Sequence, residues 1–392
     1  MLDESLAGLQ GVDALRRLTL DPLGHGVRRL LADQVPDWNG EDLRLIRTKY
    51  KPSRKVTATY VLPDGRHAAV VWSAEPVQMT VSPDDDAMPH LAGLHDPAHR
   101  TDLLGFAGRV ETIRYRPGQR HVLRVTSPDH AGVHVKMDRD DSGARAVPVA
   151  EALGTLLAHR CPEASVAEPV GYFSSDRTAV WRTAQGAPLS TRLDGPDGER
   201  HVHLVGRAIR ALHDARPDDL PSTGDGARDA HAEIAATLRA GEHITVLLAD
   251  VGIDYLALVD EIAAELDHVP TEAPTFAHGD LKSDNVLAST DGVRLLDLDR
   301  CGPADPALDL AKFVADLRWW TGADEDRANI LIDAFRTGYG ASDSPRWDRA
   351  LSLTRLFQLK LAARRCAVHD TSWASDVRAR VAAAAPVLAG GA

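Results

Sequence analysis

The sequence has few of the residues that mark secreted, zinc-bound or membrane-spanning proteins. Its 392 residues include only three cysteines, Cys161, Cys301 and Cys366, which lie far apart. This odd number at such spacings indicates neither a disulfide framework nor a zinc site. No apolar run reaches the roughly 18 residues that a membrane helix needs, and the acidic first residues are unlike a signal peptide. The sequence therefore predicts a cytoplasmic protein with no membrane partner.

Basic residues are also fewer than acidic residues. The chain has 45 lysines and arginines against 57 aspartates and glutamates, a formal net charge of −12, which argues against nucleic acid as its main partner. An acidic surface would favour cationic substrates such as amino sugars, although many acidic proteins have no such substrate. The apolar fraction of 44% is typical of a globular protein, and the length indicates two lobes plus an accessory unit.

One segment combines a carboxylate with an amide at the spacing that phosphoryl transfer uses. It follows the pattern His-x-Asp-x-x-x-x-Asn, with His278, Asp280 and Asn285. The carboxylate would accept the proton of an attacking hydroxyl, and the amide would help to hold Mg²⁺. Asp297 follows twelve residues later. Two β-type runs joined by a turn at 290–292 predict a hairpin that returns Asp297 to Asn285.

These motifs resemble a known family. Together with the run from Asp305 to Ala311, they are similar to the aminoglycoside phosphotransferase and choline kinase branch of the protein-kinase-like superfamily, in which glycine follows the histidine. The resemblance covers roughly residues 105–370. It implies an α+β bilobal fold, with a small antiparallel β lobe that carries one helix and a large, mostly helical lobe. It also implies ATP as donor and four site roles: Asp280 as catalytic base, Asn285 and Asp297 as Mg²⁺ ligands, and Asp309 as a buried organiser of the loop.

An internal repeat precedes the catalytic motif. Residues 44–72 and 109–137 align without gaps at an offset of 65, and each copy is predicted to form a three-strand meander. The second copy carries Lys136 where the first has Val71. A kinase small lobe needs a strand lysine to reach the α- and β-phosphates of ATP. Lys136 is therefore the predicted phosphate-binding lysine.

Other residues are assigned to the nucleotide site. The predicted helix from Pro148 to His159 carries Glu151, which is expected to pair with that lysine. The turn at Gly118 and Gln119 takes the place of the phosphate-covering loop, and its amides are expected to approach phosphate. The segment around Thr183 resembles the hinge that bonds adenine through its backbone.

The remaining assignments concern the acceptor side. His278 is expected to support the catalytic loop by hydrogen bonding, and Lys282 to meet the γ-phosphate or to lie on the surface. From about residue 200 the hydrophobic period is helical. The resemblance places the acceptor pocket in this helical part, where the acidic candidates, most of them expected to be solvated, are Asp316, Asp324, Glu325 and Asp326.

Three regions and three functions follow. The predicted regions are a cap-like region at 1–100, a small lobe at 101–185 and a large lobe at 186–392; the cap resembles that of maltokinase-type and glucosamine kinase-type sugar kinases. The first function is an ATP- and Mg²⁺-dependent kinase of a sugar, amino sugar or aminoglycoside. The second is a Ser/Thr peptide kinase of a natural-product pathway. The third is a nucleotide-binding pseudokinase regulator, which usually lacks the residues found here. Oligomeric state stays open.

Overall fold

The structure is a computed structural model that describes residues 11–24, 26–36, 38, 43–73, 75–224, 227–340 and 345–385. Within these ranges the strands are β1 Arg44–Lys51, β2 Lys55–Val61, β3 His67–Trp72, β4 Gln78–Val81, β5 Arg109–Arg116, β6 Arg120–Thr126, β7 Val133–Asp138, β8 Ala164–Val166, β9 Pro169–Phe173, β10 Thr178–Arg182, β11 Ala187–Pro188, β12 Thr275–Ala277, β13 Val286–Ser289, β14 Gly292–Leu295 and β15 Gly302–Ala304.

The helices belong mainly to the second half of the chain. They are α1 Val12–Leu20, α2 Val27–Gln34, α3 Pro97–Leu104, α4 Ser142–Arg160, α5 Gly198–His213, α6 Ala230–Leu247, α7 Ala249–His268, α8 Ala307–Thr321, α9 Glu325–Tyr339, α10 Pro345–Arg365 and α11 Trp373–Ala382. None of these helices is long and apolar enough to cross a membrane.

The two sequence repeats fold into two separate antiparallel sheets. The first sheet has the order β1-β2-β3-β4, and the second has the order β5-β6-β7-β10-β9. Register agrees with the sequence alignment: Thr57 pairs with Val71 in the first copy, and Val122 pairs with Lys136 in the second. Both copies therefore present equivalent positions on equivalent faces.

The second sheet forms the small lobe. One of its faces packs against the segment before α3 and against α3 itself, in a core that includes Met88, Leu91, Leu123 and Val135. The opposite face carries Lys136, because neighbouring residues of a strand point to opposite sides. Helix α4 packs beside β9 and β10. It begins at Ser142 and contains Pro148, so the predicted start at Pro148 was six residues too late.

The large lobe is mostly helical, and a short sheet connects it to the small lobe. In that sheet β13 and β14 form the predicted hairpin, β11 follows the small lobe, and β8 adds in parallel to β14. Helices α5 to α10 surround this sheet and share one large hydrophobic core with it. The fold is the mixed α+β, kinase-like bilobal one that the resemblance implied.

Candidate active site

Buried hydrogen bonds hold the catalytic loop at its start. The carboxylate of Asp309 on α8, only 1% exposed, accepts the backbone N–H groups of His278 at 2.7 Å and Gly279 at 2.8 Å. His213 contacts the same carboxylate at 3.4 Å and bonds the Tyr339 hydroxyl at 2.9 Å. Burial would raise the pKa of Asp309, but these partners lower it to about 2. A permanently ionised carboxylate therefore fixes the loop.

His278 links the loop to the strand that precedes Asp297. Its imidazole is fully buried, and burial lowers its pKa, so the ring is neutral. Nδ1 accepts the N–H of Asp280 at 3.2 Å, which leaves Nε2 to donate to the carbonyl of Leu296 at 3.0 Å. Both ring nitrogens are thus engaged within the protein. This geometry fits a supporting residue rather than a reacting one.

The two carboxylate oxygens of Asp280 contact different groups. Oδ2 lies 3.2 Å from the Asn285 amide nitrogen and 3.5 Å from the Lys282 ammonium. Oδ1 accepts a hydrogen bond from Lys312 on α8. Burial would raise the pKa of Asp280, but Lys312 and Lys282 outweigh it and hold the pKa well below its ordinary value. The side chain is therefore an anion across the whole working pH range.

The predicted hairpin brings Asn285 and Asp297 to one end. Val286 pairs with Leu295, and one step further the N–H of Leu296 donates to the carbonyl of Asn285 at 2.8 Å. Asp297 follows with a φ of 57°, a left-handed conformation that few non-glycine residues adopt. The amide nitrogen of Asn285 donates to the backbone carbonyl of Asp280 at 2.9 Å.

Lys136 connects the two lobes at this point. Its ammonium lies 3.1 Å from Asp297 Oδ1 and also contacts Asp299. Arg120, from the same sheet, lies 2.8 Å from Asp299 Oδ2 and contacts the buried Asp138. The lysine therefore reaches the catalytic loop region, as the sequence predicts for a residue that binds phosphate there.

The residues present fit a magnesium ion. Asp297 offers carboxylate oxygens, and Asn285, whose nitrogen is engaged, offers its amide oxygen; both are hard donors of the kind that Mg²⁺ prefers. In the described ranges, no three His, Cys, Asp or Glu side chains are grouped as a metal site. That agrees with a Mg²⁺ ion held by one or two protein ligands together with phosphates.

The predicted pair between Lys136 and Glu151 is absent. Glu151 is exposed, and its carboxylate makes no ion pair with any described residue. The side of α4 that packs inward carries small and apolar residues such as Ala146 and Ala150. Because α4 starts earlier than predicted, Glu151 lies in the middle of the helix and not at its first turn. Asp297 and Asp299 take the place of the expected partner.

The turn at Gly118 and Gln119 does not offer free amides. The N–H of Gly118 donates to Asp85 Oδ2 at 2.7 Å, and the N–H of Gln119 donates to the Arg116 carbonyl at 3.0 Å. Asp85 also accepts the Tyr115 hydroxyl at 2.8 Å. The expectation that these amides approach phosphate is therefore wrong for this conformation, because the turn is tied to Asp85.

The hinge amides are partly engaged as well. The N–H of Thr183 donates to the carbonyl of Gly132 at 2.8 Å, and that of Arg182 donates to Glu168 at 2.9 Å. The amide of Thr183 is thus not available to adenine. The amide of Ala184 donates to no residue within the described part of the chain. Adenine bound at this hinge would therefore use the amide of Ala184 and backbone carbonyls.

Sequence reasoning missed several residues at the site. Lys312 lies one helical turn after Asp309, and that spacing places it on the face of α8 that looks at the loop. Arg228, in the segment before α6, donates to the carbonyls of Gly279 at 2.9 Å and Arg300 at 2.6 Å. No sequence signal identifies Arg228, because its contacts depend on the tertiary fold.

The four acidic candidates for the acceptor pocket have different surroundings. Asp316 is fully buried and accepts the N–H of Ser283 at 2.6 Å and the guanidinium of Arg365 at 2.6 Å, so it anchors the catalytic loop. Asp324 caps the first turn of α9, and Glu325 pairs with Arg318 on the surface. Asp326 is exposed.

Several solved structures have the same fold. A choline/ethanolamine kinase family protein from Mesorhizobium loti aligns at a TM-score of 0.51 and 15% identity, over 75% of this chain and 92% of that one. A thermostable mutant of the aminoglycoside phosphotransferase APH(4)-Ia gives 0.51 and 16%, over 76% and 100%. The amicoumacin kinase hAmiN, solved with AMP-PNP, Ca²⁺ and Ami, gives 0.50 and 13%, over 70% and 87%. These structural alignments show a shared fold.

Sequence comparison gives the family. No curated protein matches the chain. The model of the phosphotransferase enzyme family matches residues 113–353, more than half of the chain, from within β5 to within α10. The loop, the hairpin and the inter-lobe lysine all lie inside that match. The chain therefore belongs to the phosphotransferase enzyme family, whose members phosphorylate hydroxyl groups of small molecules.

Proposed function

We propose that the protein transfers the γ-phosphate of ATP, with Mg²⁺, to a hydroxyl group of a small polyhydroxylated molecule such as a sugar. The observation that carries this proposal is the contact between Lys136 of the small lobe and Asp297 of the hairpin, 3.1 Å apart and beside the catalytic loop. A triphosphate is bound by a lysine that contacts its phosphates and a carboxylate that holds its metal ion, and the two must lie close together. A cytoplasmic location is part of the proposal, because ATP is found there.

Each residue has a role in this reaction. Lys136 would bind the α- and β-phosphates, and Lys282 would contact the γ-phosphate. Asn285 and Asp297 would hold Mg²⁺, which neutralises charge on the phosphate oxygens when bound. The acceptor proton would pass to the carboxylate of Asp280 as the acceptor oxygen forms its bond to phosphorus. The bond between the γ-phosphorus and the bridging oxygen breaks, and ADP leaves.

The ionised state of Asp280 sets how this base works. A carboxylate with a depressed pKa is a weak base, so it removes the proton late, when the new bond to phosphorus has acidified the hydroxyl. Its main contribution is to orient the acceptor oxygen toward the γ-phosphate. A cavity of about 220 Å³ beside the loop suits a small acceptor better than a peptide chain.

The test is ADP release, measured with a panel of sugars, sugar phosphates, sugar acids, amino sugars, aminoglycosides, choline and serine peptides. For the acceptor that is phosphorylated, Asp280→Asn should lower kcat by about 10²- to 10⁴-fold, because the base is lost. Asp291→Asn is the matched control, since Asp291 is exposed in the turn between β13 and β14. An Asp280→Asn variant with the wild-type rate would show that the base is wrongly assigned.

A further inference from the structure

The cavity beside the catalytic loop is lined by several basic side chains. Gly279 and Lys312 form the wall nearest Asp280, on the side of its Oδ1 oxygen. Helix α6 forms the opposite wall with Arg239, and Arg300 closes the end. An acceptor in this cavity would meet Asp280 from the side away from Asn285. What the cavity binds therefore decides which acceptor is phosphorylated, an inference that depends on the proposed function.

The carboxylates of the cavity are already engaged. Asp229 accepts the N–H of Ala232 at 2.9 Å, as the cap of α6. Glu233 accepts a hydrogen bond from Lys360, which lies outside the cavity. Asp309 accepts the loop amides. Glu233 and Asp309 are thus occupied, whereas Asp229 is exposed and uses one oxygen as the helix cap.

The guanidinium groups of the cavity, in contrast, form no direct ion pair with a carboxylate among the described residues. Arg228 donates only to backbone carbonyls, and Arg239 and Arg300 make no ion pair within the residues that the structure describes. Lys312 lies 5.8 Å from the centre of the Phe357 ring and shares Asp280 with Lys282. Four basic and three acidic side chains thus line the cavity, and the guanidinium groups of Arg239 and Arg300 are exposed to solvent.

The first meander carries further positive charge near helix α6, one wall of the cavity. Its strand β1 packs near α6, and Arg54 beyond its end pairs with Glu242 on that helix. Arg47 and Lys49 point to the side of β1 opposite the half-buried Tyr50. Burial lowers the pKa of Lys49, and its neighbours Lys51, Arg47, Arg364 on α10 and Arg116 of the second meander lower it further. These basic groups repel each other, and a bound anion would reduce that repulsion.

The triphosphate of ATP accounts for only part of this charge. Arg114 and Arg116 lie on the strand of the small lobe near Asp280 and Asp297, where the nucleotide is expected. The Nε of Arg116 is buried without a hydrogen-bond partner, as expected of a group that awaits phosphate. Arg239 and Arg300 line the other side of the catalytic loop, where their exposed guanidinium groups are accessible to a second anion.

We propose that the acceptor is a small anionic hydroxy compound, a sugar or polyol that carries a phosphate or carboxylate group, and that this group binds Arg239, Arg300 and Lys312. A charge-assisted bond to a guanidinium is stronger than a neutral one, and a fork of two donors matches the shape of both anions. Lys312 would then bind the anionic group of the acceptor and contact Asp280 less closely. This would leave Oδ1 of Asp280 accessible to the acceptor hydroxyl. Amino sugars and aminoglycosides are disfavoured by the same charges.

The first experiment measures ADP release with matched acceptors. Glucose, glucosamine, glucose 6-phosphate and gluconate are compared, and glycerol is compared with glycerol 3-phosphate and glycerate. We expect the anionic member of a set to have a kcat/KM at least about 10-fold above its neutral parent, as one charged hydrogen bond provides. A neutral or cationic member that is phosphorylated faster than its anionic counterpart would overturn the inference and leave the proposed function standing.

The second experiment does not need turnover. With AMP-PNP and Mg²⁺ saturating the nucleotide site, inorganic phosphate and glycerol 3-phosphate are titrated by calorimetry. The double variant Arg239→Gln with Arg300→Gln should weaken this binding by about 10- to 100-fold, and Arg239→Lys with Arg300→Lys should restore part of it. The control is Arg28→Gln with Arg29→Gln, the same change of charge on exposed residues of α2.

The outcomes separate the two proposals. Equal anion binding by wild type and the double glutamine variant, or no anion binding by either, would refute the acceptor assignment. Failure of the wild-type protein to bind AMP-PNP with Mg²⁺ would instead refute the proposed function. Weaker anion binding in the double variant, with unchanged AMP-PNP affinity, supports the acceptor assignment.

Discussion

The two meanders have one backbone plan and two different chemistries. Strands β1 and β2 cover 44–51 and 55–61, and β5 and β6 cover the positions 65 residues later. In the second copy the third strand places Lys136 on the side that faces Asp297, and in the first copy the equivalent residue is Val71. The first copy lacks the lysine that would bind phosphates, so similarity of fold does not extend to function.

The two copies also differ in where their basic side chains lie. The second copy keeps Lys136 and Arg120 in contact with carboxylates of the large lobe. The first copy keeps its basic residues on the edge strand β1, which packs near helix α6, one wall of the cavity. We infer that one meander serves the donor and the other serves the acceptor.

The substitution Lys136→Val removes this difference, because it gives the second copy the residue of the first. It has the largest expected effect. We expect kcat/KM to fall by about 10²- to 10³-fold, because a charge that stabilises the transferring phosphoryl group is lost. Steady-state ADP release checks this, with Lys55→Val, an exposed lysine of β2, as control. Activity within twofold of wild type would show that Lys136 does not bind the phosphates.

A second comparison separates donor from acceptor charges. Arg114→Gln should weaken the binding of AMP-PNP with Mg²⁺ by about 10-fold, through one lost charged contact. Arg47→Gln with Lys49→Gln should leave that affinity within twofold but weaken anion binding at the acceptor cavity. Calorimetry measures both, and equal loss of nucleotide affinity in the two variants would contradict the division of roles.

The smallest expected effect concerns acid stability and the buried His121, which stands where the first copy has Val56. Burial and the neighbours His95 and His67 lower its pKa to about 3, from an ordinary 6.5. The unfolded state therefore takes up a proton between these values, and stability is lost as the pH falls below 6.5. We expect this loss to be shallower in His121→Val, by up to about 1.4 kcal/mol per pH unit.

Urea unfolding between pH 7 and pH 4.5 measures that slope. His243, whose pKa burial lowers to about 4, contributes equally to both proteins and does not disturb the comparison. Equal pH slopes for the wild type and His121→Val would show that His121 is protonated in the folded state or that the unfolded state is perturbed.

The sequence predicts the parts of the site that depend on local spacing. His278, Asp280 and Asn285 occupy one loop, and the turn before Gly292 is sufficient to predict the hairpin that returns Asp297 to Asn285. The alignment of the two repeats also predicts the correct strand register, because side chains alternate with a strict period of two. These are short-range properties, which a single sequence contains.

The failed predictions depend on long-range contacts. The amide of Gly118 is taken by Asp85, which lies in another segment and packs against the turn only in the fold. Glu151 is displaced from Lys136 because α4 runs through Pro148 and begins earlier than a proline suggests. Asp316 is buried because Ser283 and Arg365 meet it from elements far apart in the chain.

Gly279 links the shape of the loop to the shape of the cavity. Its φ of 74° lies in the left-handed region, and a Cβ atom there would overlap the guanidinium of Arg228. A larger residue at 279 would therefore push Arg228 from the two carbonyls that it binds and disturb the catalytic loop at the same time. Efforts to retarget the enzyme to new acceptors should vary Arg239, Arg300 and strand β1, and leave this glycine and its arginine unchanged.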